Sequence, residues 1–235
     1  MSEARRQPPF LLSFVSLLRK DCRALWKARS LLFGVFGFAL LLVVVSSFAF
    51  LYLGMSDLDK LNVTPGIIWL IFIFTSVLAL NQSFLFEKEN DAHLAIVLSP
   101  VSSTAFYLSK CLSNALFICS VQLLVFVCHE VFFGVELVRH LISLSCILVL
   151  SAGAFSAIGT LLSAIAVSVK GRELVLPLLL FPLAIPVLSA AVSLTRTLLS
   201  TGMLDYSDFW FWFLFCANSI PLALGALLFD YVIRD

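Results

Sequence analysis

The sequence is poor in charge. Asp, Glu, Lys and Arg together make 12% of its 235 residues, about half the ~25% of an ordinary soluble domain. So little charge argues against disorder, which needs much charge and few aromatics. The net charge of +1 lacks the basic excess of a nucleic-acid binder. Several chemical signatures are also missing. No GxxxxGK[ST] loop is present to cradle a nucleotide phosphate, and neither GxSxG nor HExxH occurs. The six cysteines, Cys22, Cys111, Cys119, Cys128, Cys146 and Cys216, form no CxxC pair, so no zinc or thioredoxin-like site is signalled. They read as small apolar residues in packed helices.

What the sequence has is apolar surface. Hydrophobic residues make 61% of it, 23 are Phe, and the mean hydropathy is +1.08. One small soluble core cannot hide so much, and lipid is the natural solvent for the excess. Six apolar runs stand at 31–53, 65–86, 111–133, 141–169, 173–195 and 209–229. Each reaches the roughly 20 residues a helix needs to cross the hydrocarbon. None has the alternating pattern of barrel strands. The fold class expected is an all-α integral membrane protein. A segment over 1–30 precedes the six-span domain over 31–235. In that segment Leu11, Phe14, Val15, Leu18, Cys22, Leu25 and Trp26 recur at three- and four-residue steps. Arg19, Lys20, Arg23 and Lys27 fall largely off that face, as in a basic helix lying flat on an anionic membrane.

Charge sets the orientation. With the N-terminus inside, the inner segments hold twelve Lys and Arg, and the outer ones hold Lys60, Arg139 and Arg196. Twelve against three is a strong positive-inside bias, so both termini are expected in the cytoplasm. The outer loops, read as 54–64, 134–140 and 196–208, leave no external domain. Trp69, Trp210 and Trp212 fall near outer span ends, where interfacial tryptophans anchor.

Acidic residues avoid the span centres, so the carboxylate relay of an ion-coupled transporter is not seen. Asn114 and Gln122 are the strongly polar residues of span three; they either line a path or bond across helices. Span four carries Ala152, Ser156, Thr160, Ala164 and Ser168 at every fourth position, beside Gly153, Ala157 and Gly159. Such a stripe lets another helix come close. Pro177, Pro182 and Pro186 are expected to kink or break span five. The inner loop opens with Glu87, Lys88, Glu89 and Asp91, continues through an apolar stretch and ends at Ser99-Pro100. A short surface helix broken by Pro100 is a handle for a partner protein or a solvated connector. His129 and His140 flank one outer connection and are the candidate ligands, set against simple interfacial hydrogen bonding. No metal site is expected.

Several stretches resemble one family. Thr64-Pro-Gly-Ile-Ile-Trp69, Leu98-Ser99-Pro100-Val101, Tyr107-Leu108-Ser109-Lys110, and Lys170-Gly171-Arg172 running to Pro177 and on to Phe181-Pro182-Leu183-Ala184-Ile185-Pro186 are similar to haem exporter protein B (CcmB-type) permeases. Asp91 departs from the family pattern, which commonly has Gly there. The resemblance implies an ABC-2-type exporter permease of the c-type cytochrome maturation system in a bacterial inner membrane. It implies a homodimer working with a separate ABC ATPase subunit and beside other cytochrome c maturation membrane proteins. ATP would bind the partner and no cofactor this chain, which is not itself an enzyme. Either haem is the cargo, or ATP drives release of a haem-loaded chaperone. Outside the resemblance stand an exporter permease for a lipid, drug or polysaccharide, and a membrane assembly factor with no transport cycle. An intramembrane enzyme lacks a catalytic constellation.

Overall fold

A computed structural model of the chain describes residues 10–54, 56–89, 102–166 and 172–234. Within these, the side chains of 31, 82–89, 164–166, 172–176 and 230–234 are not described. The helices are α1 (Phe10–Lys27), α2 (Arg29–Leu53), α3 (Asp57–Glu89), α4 (Ser103–Phe133), α5 (Leu141–Ala166), α6 (Arg172–Thr201) and α7 (Phe209–Arg234), with a 3-10 turn at Val138–His140. Six, α2 to α7, are long and apolar enough to cross a membrane. An even number of crossings puts α1 and the end of α7 on one face, called here the α1 face.

Two helices begin earlier than the hydropathy suggests, because local caps start them. Ser56 and Asp59 form a reciprocal box: the Asp59 carboxylate accepts from the Ser56 N–H at 3.2 Å and from its hydroxyl at 2.6 Å. The Asp59 N–H donates back to Ser56 Oγ at 3.3 Å. This starts α3 at Asp57, with Pro65 inside the helix, so most of the expected 54–64 loop is helical. Ser102 caps α4 by accepting from the Ala105 N–H at 3.4 Å, eight residues ahead of the expected start. At the other ends, Gly54 and Gly134 take left-handed φ values of 60° and 73° and stop α2 and α4. Residues 196–201, also expected as loop, complete α6.

The bundle centre is α3, α4 and α5. In α3 the apolar window is 67% buried, whereas in α2 and α7 only 17% and 11% are buried. Phe72 stacks edge-on against both Trp69 and Phe155, at 5.0 and 5.1 Å. The small stripe of α5 serves packing. Ala152, Ser156, Ala157 and Thr160 are all buried. A Cβ at Gly153 would lie 2.5 Å from Asn218 Oδ1 of α7, and one at Gly159 would lie 2.5 Å from Leu80 Cδ1 of α3. Ala164 has no described side chain, and Ser168 lies outside the described residues.

Three features bear on the sequence reading, and the second corrects it. First, α1 packs on α4, and it turns Ser13, Asp21 and Leu25 inward. Of the expected apolar face, Phe14, Leu18 and Cys22 are half-buried, and Leu11, Val15 and Trp26 point outward, as a helix lying at a membrane allows. In a membrane the outward side is itself apolar, so the small Ser13 can face the neighbour while the large side chains face lipid. Second, Trp69 is 1% exposed and sits inside the bundle, not at the interface. Third, of the two outcomes expected at Pro177, Pro182 and Pro186, a kink or a break, the break does not occur, because α6 is helical across all three.

Candidate functional site

The inner-loop residues divide at the edge of the described region. Glu87, Lys88 and Glu89 form the last turn of α3, and their side chains are not described. Asp91, Ser99 and Pro100 lie outside the described residues. The loop re-enters the fold at Ser102, and there the first turns of α4 are tied to two other helices. Thr104 Oγ1 donates to the Ala226 carbonyl of α7 at 3.1 Å. The single Tyr107 hydroxyl proton lies within reach of two carbonyls, Ala157 of α5 and Pro221 of α7, each 3.2 Å away. One turn on, Ser156 Oγ donates to the Cys111 carbonyl at 2.5 Å.

Tyr107 reaches this position because α7 has a notch. A Cβ at Gly225 would lie 2.2 Å from both Cζ and Oη of the tyrosine. No real contact is that short, so only glycine admits the ring. Phe106, Tyr107, Cys111, Ala157 and Phe229 form a buried cluster of their own here, with Leu17 of α1 packed against it. The arrangement is a hub. Through Tyr107 the first turns of α4 are bonded to both α5 and α7.

Spans two and five, α3 and α6, are also in contact. Trp69 Nε1 donates to Thr195 Oγ1 at 2.8 Å in a fully buried pair. Phe74 meets Phe181 at 6.2 Å, near edge-on. Gln122 resolves one of the sequence alternatives: its amide donates to the Ile68 carbonyl of α3 at 2.9 Å, so it bonds across helices. Asn114 is buried in α4.

The two histidines occupy different surroundings. His140 lines a cavity of about 390 Å³ with Asp57, Lys60, Glu136 and Arg139, on the face opposite α1. Ion pairs Lys60–Asp57 at 3.0 Å and Arg139–Glu136 at 3.2 Å leave this cavity charge-balanced. His129 does not line it. Its ring is fully buried and stacked on Phe133, centroids 3.9 Å apart. Neither ring nitrogen has a hydrogen-bond partner among the described residues, so the expected interfacial hydrogen bonding is absent at His129. Glu130 points elsewhere and accepts from the Val138 N–H at 2.5 Å, holding the 3-10 turn. Among the described residues, no three His, Cys, Asp or Glu gather as a metal site would require.

The residues that sequence reasoning missed are the Tyr107–Gly225 pair and the Trp69–Thr195 bond. A lone glycine in the apolar run of α7 was the available signal for the first. A tryptophan four positions after a proline gave no hint of a threonine 126 residues away.

No functionally curated protein matches the chain. Residues 12–231 match the family described as CcmB protein, which is nearly the whole chain and includes the Tyr107 hub and the apolar stretches of all six spans. The chain therefore belongs to the CcmB, or haem exporter protein B, family, whose members are membrane permease subunits of ATP-binding-cassette transporters.

Proposed function

We propose that the chain is the permease subunit of an ABC machine acting in haem export and delivery for c-type cytochrome maturation. Two copies pair with two separate ATPase subunits in a bacterial inner membrane, beside other cytochrome c maturation membrane proteins. ATP is hydrolysed on the partner, and both termini are cytoplasmic. The family match over 12–231 carries this reading. The Lys and Arg bias, twelve against three, supports the orientation.

Energy enters at the inner loop, where Glu87, Lys88, Glu89 and Asp91 dock on the ATPase. Ser99 and Pro100 pass the movement to Ser102, and the Tyr107 hub spreads it to α5 and α7. Contact between α3 and α6 carries it toward the outer face, with the prolines of α6 supplying bends without breaks. Exposed ion pairs contribute only about 0–1 kcal/mol each, so one charge reversal is mild. Reversing Glu87, Glu89 and Asp91 together weakens ATPase recovery in a pull-down or lowers holocytochrome c yield, while membrane insertion stays normal. Wild-type recovery, ATP turnover and yield in the triple variant would make the loop a simple connector.

A further inference from the structure

A second feature has no part in the coupling path. Where α1 hands over to α2, a cavity of about 660 Å³ opens between these two helices and α4. Its size falls in the roughly 300–1,000 Å³ range of small-molecule sites. Leu25, Leu32, Phe33, Phe36, Leu116 and Phe117 wall it. The two serines in the lining make no demand on a ligand. Ser113 donates to the Lys110 carbonyl at 3.0 Å and Ser120 to the Phe117 carbonyl at 2.7 Å. The interior therefore suits a hydrocarbon chain.

The mouth is different. Among the cavity's lining residues Arg29 and Trp26 are exposed to the surroundings. Arg29 stands three positions before Leu32, where the apolar window of α2 begins, so it sits at headgroup depth. Around it the exposed face of α1 carries Arg19, Lys20, Arg23 and Lys27. The one acid described on α1, Asp21, is buried and paired with Lys20 at 3.4 Å. An apolar slot that opens on a cationic rim at the membrane surface fits one kind of molecule, an amphiphile with an anionic head and a hydrocarbon tail.

We propose that this groove holds an anionic phospholipid of the α1-side leaflet, an acyl chain between α2 and α4 and the phosphate at Arg29. The lipid wedges α1 against the first span and sets the seat of α1 on α4. Trp26, 76% exposed at the mouth, lies against the glycerol region as interfacial tryptophans do. This site is independent of the transport reading, because it needs neither ATPase nor cargo.

Trp26 supplies the probe. The full chain is placed in phosphatidylcholine nanodiscs with a small, equal fraction of acyl-brominated phosphatidylglycerol or acyl-brominated phosphatidylcholine. Quenching at Trp26 is the difference between the wild type and Trp26→Phe. The brominated anionic lipid should quench about five-fold more effectively than the zwitterionic one, the advantage one cation gives near a membrane surface. Arg29→Gln should remove most of that preference. Arg23→Gln, also exposed but outside the groove, should keep it. Ser120→Phe, which fills the slot, should lower quenching by both lipids. Native mass spectrometry of wild type and Arg29→Gln, a surface change that leaves the fold intact, should show a retained phosphatidylglycerol only in the wild type. Equal quenching by the two lipids would overturn the proposal. So would an Arg23→Gln effect as large as that of Arg29→Gln, which would mean diffuse attraction to α1. Protection of Trp26 from both lipids would mean that protein, a second copy or residues 1–9, covers the groove.

Discussion

Gly225→Ala is the sharpest test of the hub. The added Cβ would stand 2.2 Å from Tyr107 Cζ and Oη and 2.6 Å from Cε1. The neighbour is a ring wedged among Phe106, Cys111, Ala157 and Phe229, not the free end of a flexible chain. Relief therefore requires α7 to move away from α4 or the ring to leave its place. Either response separates the hydroxyl from the Ala157 and Pro221 carbonyls. Overpacking of this kind costs about 1–3 kcal/mol, and a lost hydrogen bond adds roughly 0.5–1.5 kcal/mol. Tyr107→Ala alone leaves a ring-sized cavity, about 3 kcal/mol at the low end for a large aromatic. In the double variant the alanine methyl grows into that vacated space. The two costs should then fail to add, with a coupling of at least about 0.5 kcal/mol in the favourable direction. The assay is reversible unfolding of the purified protein in mixed micelles, followed by helical circular dichroism. A silent Gly225→Ala, or strictly additive costs, would refute the notch.

Three further outcomes are expected. Trp69→Phe and Thr195→Val each remove the same buried bond, so each should cost about 1 kcal/mol and the double variant little more than one alone, by the same unfolding assay. Cysteines placed at Asp57 and Asp205 should label with an impermeant reagent applied from outside, and one at Asp91 should not; external labelling at 91 would reverse the orientation. Ser56→Ala removes the hydroxyl that caps α3 and should destabilise by about 0.5–2 kcal/mol; an unchanged unfolding midpoint would show that α3 does not need its cap.

The membrane class and the six spans were legible because both rest on hydropathy summed over some twenty residues, and neighbours cannot alter that sum. Helix starts were less legible. The Ser56–Asp59 box and the Ser102 cap are short polar signals beside long apolar runs, and hydropathy registers only the runs. Which side of α1 meets α4 was not legible, for a physical reason. Amphipathicity points a soluble helix to its core, but lipid rewards outward Leu11, Val15 and Trp26 and lets Ser13 and Asp21 face α4. Trp69 was misplaced likewise, since depth in a bundle is set by partners such as Thr195 that are remote in sequence. The described part of the small stripe of α5, Ala152, Ser156 and Thr160, packs as its spacing suggested, because spacing by four on a helix is itself the geometry of close approach. The hub at Tyr107 needed three helices to be visible together, and no local pattern contains it.

The central claim is that this permease works with a separate ATPase. The direct measurement is affinity purification of the intact membrane complex through this chain, identification of its subunits, and ATP turnover of the complex in lipid nanodiscs. An ABC ATPase should be recovered with the permease, together with cytochrome c maturation proteins, and turnover should fall when Glu87, Glu89 and Asp91 are reversed. Purification of the chain with no ATPase in association, from membranes that sustain holocytochrome c formation, would contradict it.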